Sequence, residues 1–187
     1  RFIGALIIAL ISNFMWQARV MRLIREDEKE RQMADEIASQ DRLTGLYSNA
    51  LTDQLVGHGI KTADRHEHFL AVMFFDLASF SDVNESYGYE EGNAVLKEVA
   101  LRLKNTVRKS DVVIRQGADK FIIILNDVSE VTDSASVAKN ILEETQKIYH
   151  INDHQIELSA CIGIAVYPAD GATPSLLLRR AESALHN

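Results

Sequence analysis

The chain has a single cysteine among 187 residues and no surplus of basic charge: 20 Lys and Arg stand against 27 Asp and Glu, a net charge of −7. One cysteine can close no internal disulfide, which suits a reducing compartment. Cys161 lies in the apolar run Leu158–Val166 and is expected to be a small buried hydrophobe. The acidic balance argues against a nucleic-acid-binding surface. Charge is missing altogether from Phe2 to Trp16, and proline and glycine are missing from Arg19 to Gln40. These two gaps define the start of the chain.

As a helix, Phe2–Trp16 would span roughly 22 Å at about 1.5 Å per residue, short of the roughly 30 Å hydrocarbon core. The chain opens at Arg1 and not at Met, so a start inside or at the edge of a longer helix is expected. No small-x-small cleavage site follows the apolar stretch, which argues against a secretory signal peptide. Arg19, Arg22 and Arg25 count against a buried core helix and mark a cytoplasmic flank, with Trp16 as an interfacial anchor. Residues 1–18 are therefore read as the C-terminal part of a transmembrane helix in the inner membrane, with everything after it in the cytoplasm. Residues 19–40 read as a helical linker rich in good helix formers. Its apolar stripe (Val20, Ile24, Met33, Ala34, Ile37, Ala38) is broken by the polar centre Arg25–Gln32. A solvated spacer and a helix paired with its copy therefore stand level.

The remainder, 41–187, is long enough for one globular domain. A first helix is expected over Asn49–His58, followed by a loop from Gly59 to His68. That loop would carry His58, His66 and His68 at its edges; without a nearby cysteine it reads as solvated and not as a metal site. Phe69–Asp76 is uncharged until its end and should be a central strand buried on both faces. A short helix is expected over Phe80–Tyr87. Glu91–Lys109 places Val95, Leu96, Val99, Ala100, Leu103 and Val107 on one helical face. Val112–Ile114 and Phe121–Leu125 flank a polar break and read as a hairpin with a polar tip. A helix over Ser134–Tyr149 and a long strand over Gln155–Val166 follow. A last helix, with Thr173 at its N-cap and Pro174 in its first turn, closes the chain. The order βααββαβα around one sheet is an α+β architecture.

Three segments then stand in series: Asp41-Arg-Leu-Thr-Gly-Leu-Tyr47, the stretch from Asp76 through Asn84 to Asn93, and Arg115-Gln-Gly-Ala-Asp-Lys-Phe121. In that order and spacing they resemble the GGDEF (diguanylate cyclase) domain family. Its patterns run D-x-L-T-G-L-x-N-R, then D-x-D-x-F-K-x-x-N-D-x-x-G-H-x-x-G-D, then R-x-G-G-D-E-F. The resemblance implies a palm-like βαββαβ core of the adenylyl cyclase type, with a central, mostly antiparallel sheet. It also implies a chemistry in which two GTP molecules, one on each subunit of a homodimer, condense to cyclic di-GMP. Mg²⁺ on strand-end carboxylates would neutralise the phosphates.

Carried over by position, the match is partial. Asp76 matches the first metal aspartate, but Ala78 stands where the second is expected. In the signature Gly117, Ala118, Asp119, Lys120, Phe121, Lys120 replaces a glutamate that is a metal ligand and candidate base. Ala118 replaces the glycine that lets backbone approach phosphate. Ser81 replaces a phosphate-contacting lysine, and Ala50 an arginine. Asn84 matches the guanine-reading asparagine, while Asn93 replaces an aspartate that pairs with the guanine edge. Arg108 and Asp111 match the family's R-x-x-D allosteric site for cyclic di-GMP. The same two residues also read as a solvated charge at a helix end and a turn cap. The closing A-K-x-x-G-R segment is not reached before Asn187.

These readings add up to an expectation. The domain should be a catalytically inactive, membrane-tethered regulatory or nucleotide-sensing module in cyclic di-GMP signalling. Asp76 would be a weak residual metal ligand, Asn84, Asn93 and Lys120 the nucleotide contacts, and Mg²⁺ not productively bound. The expected partners are GTP or cyclic di-GMP, a second copy, and an EAL-type phosphodiesterase domain beyond Asn187. An active cyclase with an atypical site and a ligand-free dimerisation spacer are the competing readings.

Overall fold

The computed structural model describes residue 21 and residues 39–186. The transmembrane reading of residues 1–18 and the linker reading of most of 19–40 therefore lie outside the described residues. Among those described, no helix is long and apolar enough to cross a membrane.

In chain order the elements are β1 (Tyr47–Ser48), α1 (Thr52–His66), β2 (Phe69–Ala78), α2 (Phe80–Tyr87), α3 (Tyr89–Thr106) and β3 (Val112–Gly117). They continue as β4 (Lys120–Val128), α4 (Val131–Thr145), β5 (Tyr149–Ile151), β6 (His154–Ile156), β7 (Ser159–Tyr167) and α5 (Pro174–Leu185). Five strands form one sheet in the order β1-β3-β4-β2-β7, and β5 and β6 form a separate hairpin. All pairings in the large sheet are antiparallel except the short parallel contact of β1 with β3.

The uncharged run of β2 sits in the middle because helices cover both faces of the sheet, so neither set of its alternating side chains meets water. Met73, Phe75 and Leu77 join Phe121, Ile123 and Leu125 on the face covered by α2, α3 and α4. Leu70, Val72 and Phe74 join Ile114, Ile122 and Ile124 on the face covered by α1 and α5.

Several sequence expectations are corrected. The first helix does not stop at His58; it runs to His66, so the expected loop Gly59–His68 is mostly helix. Gly59 suits that helix because a side chain there would meet Leu70 Cδ1 at 2.6 Å and Asn126 Oδ1 at 2.9 Å. The helix expected over Ser134–Tyr149 ends at Thr145, and Tyr149 is instead fully buried on β5. The long strand expected from Gln155 is two strands, β6 and β7. Cys161 is exposed: it lies beside Asp76 at the end of the sheet, so an apolar run did not imply burial at every position.

Candidate functional site

The register of the sheet sets three side chains in a row. Asp76 on β2 is paired with Lys120 on β4 and, on its other side, with Cys161 on β7. Paired residues share a face, so the carboxylate lies between an amine and a thiol at one end of the sheet. Lys120 Nζ is 4.0 Å from Asp76 Oδ2, and both side chains are partly exposed. Burial raises the Asp76 carboxyl above its ordinary value, and Asp119 adds to the rise, while Lys120 and His186 act against it. The cation across the strand does not fully compensate for what burial costs the charge.

The turn beside this pair is held from two directions. The Leu77 N–H donates to the Asp119 carbonyl at 3.4 Å, tying the tip to β2. Arg115 donates through Nη2 to the Ala118 carbonyl at 2.9 Å and through Nη1 to Asp41 Oδ1 at 3.0 Å. Asp41 Oδ1 also accepts the Thr44 amide at 2.8 Å and the Thr44 hydroxyl at 2.6 Å. Burial raises the Asp41 carboxyl, but the Thr44 hydrogen bonds and Arg115 outweigh it and leave it below its ordinary value. The first and third sequence motifs are thus one structure joined by Arg115. Sequence reasoning missed Arg115 as a site residue, although an arginine just before the turn and an aspartate opening the first motif were the available signal. Ala118, at φ 41°, takes a left-handed conformation that suits glycine.

Asn84, near the end of α2, rests on the first turn of α3. A side chain on Gly92 would come within 2.0 Å of Asn84 Oδ1, so the glycine is what lets the amide seat there. Asn93 follows directly and is exposed. Both asparagines therefore lie at the α2–α3 junction.

Arg108 and Asp111 lie together, but the carboxylate is already engaged. Asp111 Oδ2 accepts the Arg108 amide at 2.9 Å and Oδ1 accepts the Asn126 amide at 3.1 Å. The turn-capping role is present, and the Arg108 side chain is exposed beside it. Arg108, Lys104 and Lys109 line a cavity of about 520 Å³ that reaches Tyr47. Of the three histidines, His58 and His66 lie on α1, while His68 Nδ1 bonds the Asp127 carboxylate and so lowers its pKa.

The residues present do not suit a divalent cation. Such an ion needs several hard oxygen ligands, yet Asp76 faces an ammonium and Ala78 offers no oxygen from its side chain. Among the described residues no three His, Cys, Asp or Glu converge as a metal set.

Comparison with known proteins places this geometry. Residues 38–187 match the family described as diguanylate cyclase, GGDEF domain. Across 98% of its length the chain is 33% identical to the bifunctional diguanylate cyclase/cyclic di-GMP phosphodiesterase MucR of Pseudomonas aeruginosa, of which it spans 26%. It is 33% identical over 91% of its length to the diguanylate cyclase TpbB of the same organism, of which it spans 38%. The solved GGDEF domain of TpbB superposes with a TM-score of 0.76 at 32% identity, covering 79% of this chain and 86% of that one. A sensory box/GGDEF family protein from Caulobacter crescentus gives a TM-score of 0.77 at 27% identity, covering 80% and 96%. The chain spans well under half the length of these curated relatives. With the three motifs joined around one turn and the family match covering the whole globular part, the chain belongs to the GGDEF (diguanylate cyclase) domain family.

Proposed function

We propose that this GGDEF domain does not cyclise GTP and serves as a regulatory or nucleotide-sensing module in cyclic di-GMP signalling. One observation carries the proposal: Lys120 faces Asp76 across the strand pair, with its ammonium 4.0 Å from the carboxylate. A cation thus stands beside the one carboxylate that a metal would need. A unit charge about 4 Å from a divalent ion is repelled by roughly 8 kcal/mol at an effective dielectric near 20. Ala78, exposed at the end of β2, supplies no second carboxylate. The relatives named as cyclases and phosphodiesterases of cyclic di-GMP support the signalling context. The uncharged stretch Phe2–Trp16 and the arginines after it support a membrane tether. An EAL-type phosphodiesterase domain beyond Asn187 is the partner this reading expects, and a second copy of the chain its neighbour.

The test is direct. The purified chain, given GTP with Mg²⁺ or Mn²⁺, should form no cyclic di-GMP. Turnover that Asp76→Ala abolishes would overturn the proposal. Lys120→Glu alone should not restore activity, because Ala78 still lacks a carboxylate. Any rescue should need Ala78→Asp, Ser81→Lys, Asn93→Asp, Ala118→Gly and Lys120→Glu together. In the sensing role Lys120 would hold the phosphates as a point charge, with up to three donors. Titration calorimetry should then find weak GTP binding that survives EDTA and is lost in Lys120→Ala. Cyclic di-GMP, the second candidate ligand, would use the exposed Arg108 beside Asp111 and be lost in Arg108→Ala.

A further inference from the structure

Arg108 stands between two cavities of opposite character. On one side it joins Lys104 and Lys109 around the space of about 520 Å³ that reaches Tyr47. On the other it lines a second space of about 270 Å³ together with Asp111, Asp127 and Asp133. A guanidinium keeps its charge at every working pH. The acids around it therefore decide how much positive potential it offers to an anion.

The three carboxylates are held differently. Asp111 accepts the Arg108 and Asn126 amides, and Asp133 Oδ2 accepts the Glu130 amide at 3.2 Å within the capping box of α4. Those partners do not change charge. Asp127, near the end of β4, is bonded instead by Nδ1 of His68, the residue before β2. His66, at the end of α1, and Arg108 also favour the charged form of this carboxylate. The other charged residues of these segments, Arg65, Glu67, Lys109 and Glu130, carry no imidazole. Between pH 5 and 8 the ordinary titration in this cluster thus belongs to histidine.

We infer that His68 and Asp127 form a proton-operated gate on Arg108. With the imidazole neutral, the pair carries a net negative charge and draws the guanidinium toward the smaller, acidic cavity. With the imidazole protonated, the pair is neutral and the guanidinium is released to the larger cavity, to meet an anion beside Lys104 and Lys109. Acid thus raises affinity for a phosphate-bearing ligand. Arg108 serves here as the cyclic di-GMP contact, the reading on which this gate rests, and the gate sets when that contact is available. Both side chains of the pair are partly exposed, so the imidazole exchanges protons with solvent and neither state buries an unpaired charge. A neutral imidazole with its hydrogen on Nδ1 still donates to the carboxylate. The switch therefore changes charge and leaves the fold intact.

The experiment measures cyclic di-GMP binding to the full chain by titration calorimetry at pH 5.5 and 7.5 in low salt. The phosphodiesters of the ligand do not titrate in this range, so the protein supplies any change. One unit charge across roughly 6 Å of water alters an affinity about threefold, and the parent should bind tighter by about that factor at pH 5.5. His68→Gln keeps an N–H for Asp127 but cannot titrate, and should lose most of the difference. Asp127→Asn suits the left-handed backbone at φ 57° and should bind about threefold tighter than the parent at pH 7.5. At about 1 M salt, where the screening length is roughly 3 Å, the difference should vanish. Urea midpoints matching the parent's establish that the variants are folded; if His68→Gln is not, Asp127→Asn decides. Equal parental affinities at the two pH values, or a difference that survives His68→Gln or high salt, overturn the gate.

A ligand-free reading keeps the gate separate from the identity of the ligand. Ser110→Cys with Cys161→Ser sets one thiol at an exposed position two residues from Arg108. The ratio of its rates with an anionic and a neutral disulfide reagent cancels the thiolate fraction and reports local potential. That ratio should rise from pH 7.5 to 5.5, and should stay level once His68→Gln is added. If cyclic di-GMP binds at neither pH, Arg108 is not its contact and the thiol ratio decides. A rise that needs His68 then sustains the gate for another phosphate ligand, and a level ratio overturns it.

Discussion

Asp76 and Lys120 show why a cross-strand ion pair is not evidence of stabilisation. Burial raises the Asp76 carboxyl despite the lysine, so the charged form is less favourable in the fold than in the unfolded chain. The sign follows from linkage: a carboxyl whose folded pKa is raised lowers stability as pH climbs past the ordinary value of 3.8. Asp76→Asn should therefore be no less stable than the parent at neutral pH. Its advantage should shrink as pH falls toward 3.8, which thermal melts across pH 3 to 7 would read. Ala118 carries a separate strain at φ 41°. Ala118→Gly should raise the urea midpoint, with a gain of up to about 1 kcal/mol, since a non-glycine residue in this region costs about 1 to 2 kcal/mol. The opposite result would mean that the Arg115 bond to the Ala118 carbonyl makes that conformation unstrained.

The elements differ in how openly the sequence declares them. Phe80–Tyr87 is a helix over the residues expected, because its apolar positions repeat at helical spacing and Gly88 ends it at φ 97°. α1 runs past the end expected at His58: Gly59 opens the expected loop, whereas it is a glycine because a side chain there would meet Leu70 and Asn126. That contact exists only after folding and leaves no local signal. Tyr149 closes the helix expected from Ser134, but its position is set from elsewhere. Arg102 on α3 lies 3.9 Å over its ring and donates to the carbonyls of Glu144, Lys147 and Ile148. One arginine thus closes the C-terminal end of α4 and starts β5. Arg102→Ala should destabilise by about 3 kcal/mol, since it strips hydrogen bonds to a charged group and a cation–π contact together. Gly163 on β7 gives the sharper contrast with Gly59. A side chain there would meet the Ala181 carbonyl at 2.1 Å and the Leu185 nitrogen at 2.4 Å, both backbone. Gly163→Ala should cost more than the roughly 1 to 3 kcal/mol expected of overpacking at Gly59, because helix backbone cannot turn aside as a leucine can. Equal urea midpoints for the two variants would refute this. At the site, Asp76, Asn84 and the signature turn were legible as motifs. Gly92 and Arg115 hold fixed places in those patterns too, but their contacts, Gly92 with Asn84 and Arg115 with the turn, were not legible, because a contact is a distance and not a spacing.

At the scale of the whole molecule, the start of the domain is held by its middle. Asp41 is bound by Arg115 across 74 residues of chain, and β1 pairs with β3 through only two positions. Asp41 has a lowered carboxyl pKa, so it contributes stability above the ordinary value that is lost as pH falls through the folded one. Amides of Leu46 and Ser48 should therefore be less protected from exchange than those of β2, and less still in Arg115→Ala or, relative to the slower intrinsic exchange there, in acid. Exchange at the β2 rate in Arg115→Ala would show that the motif holds itself. The same closure sets an order of events during synthesis. Asp41 leaves the ribosome well before Arg115, and at about 5 to 20 residues per second it waits some 4 to 15 seconds for its partner. The segment that opens the domain is thus translated first and cannot be fastened until the middle of the chain has followed it, and until then a nascent chain exposes it to whatever chaperone or protease is at the exit.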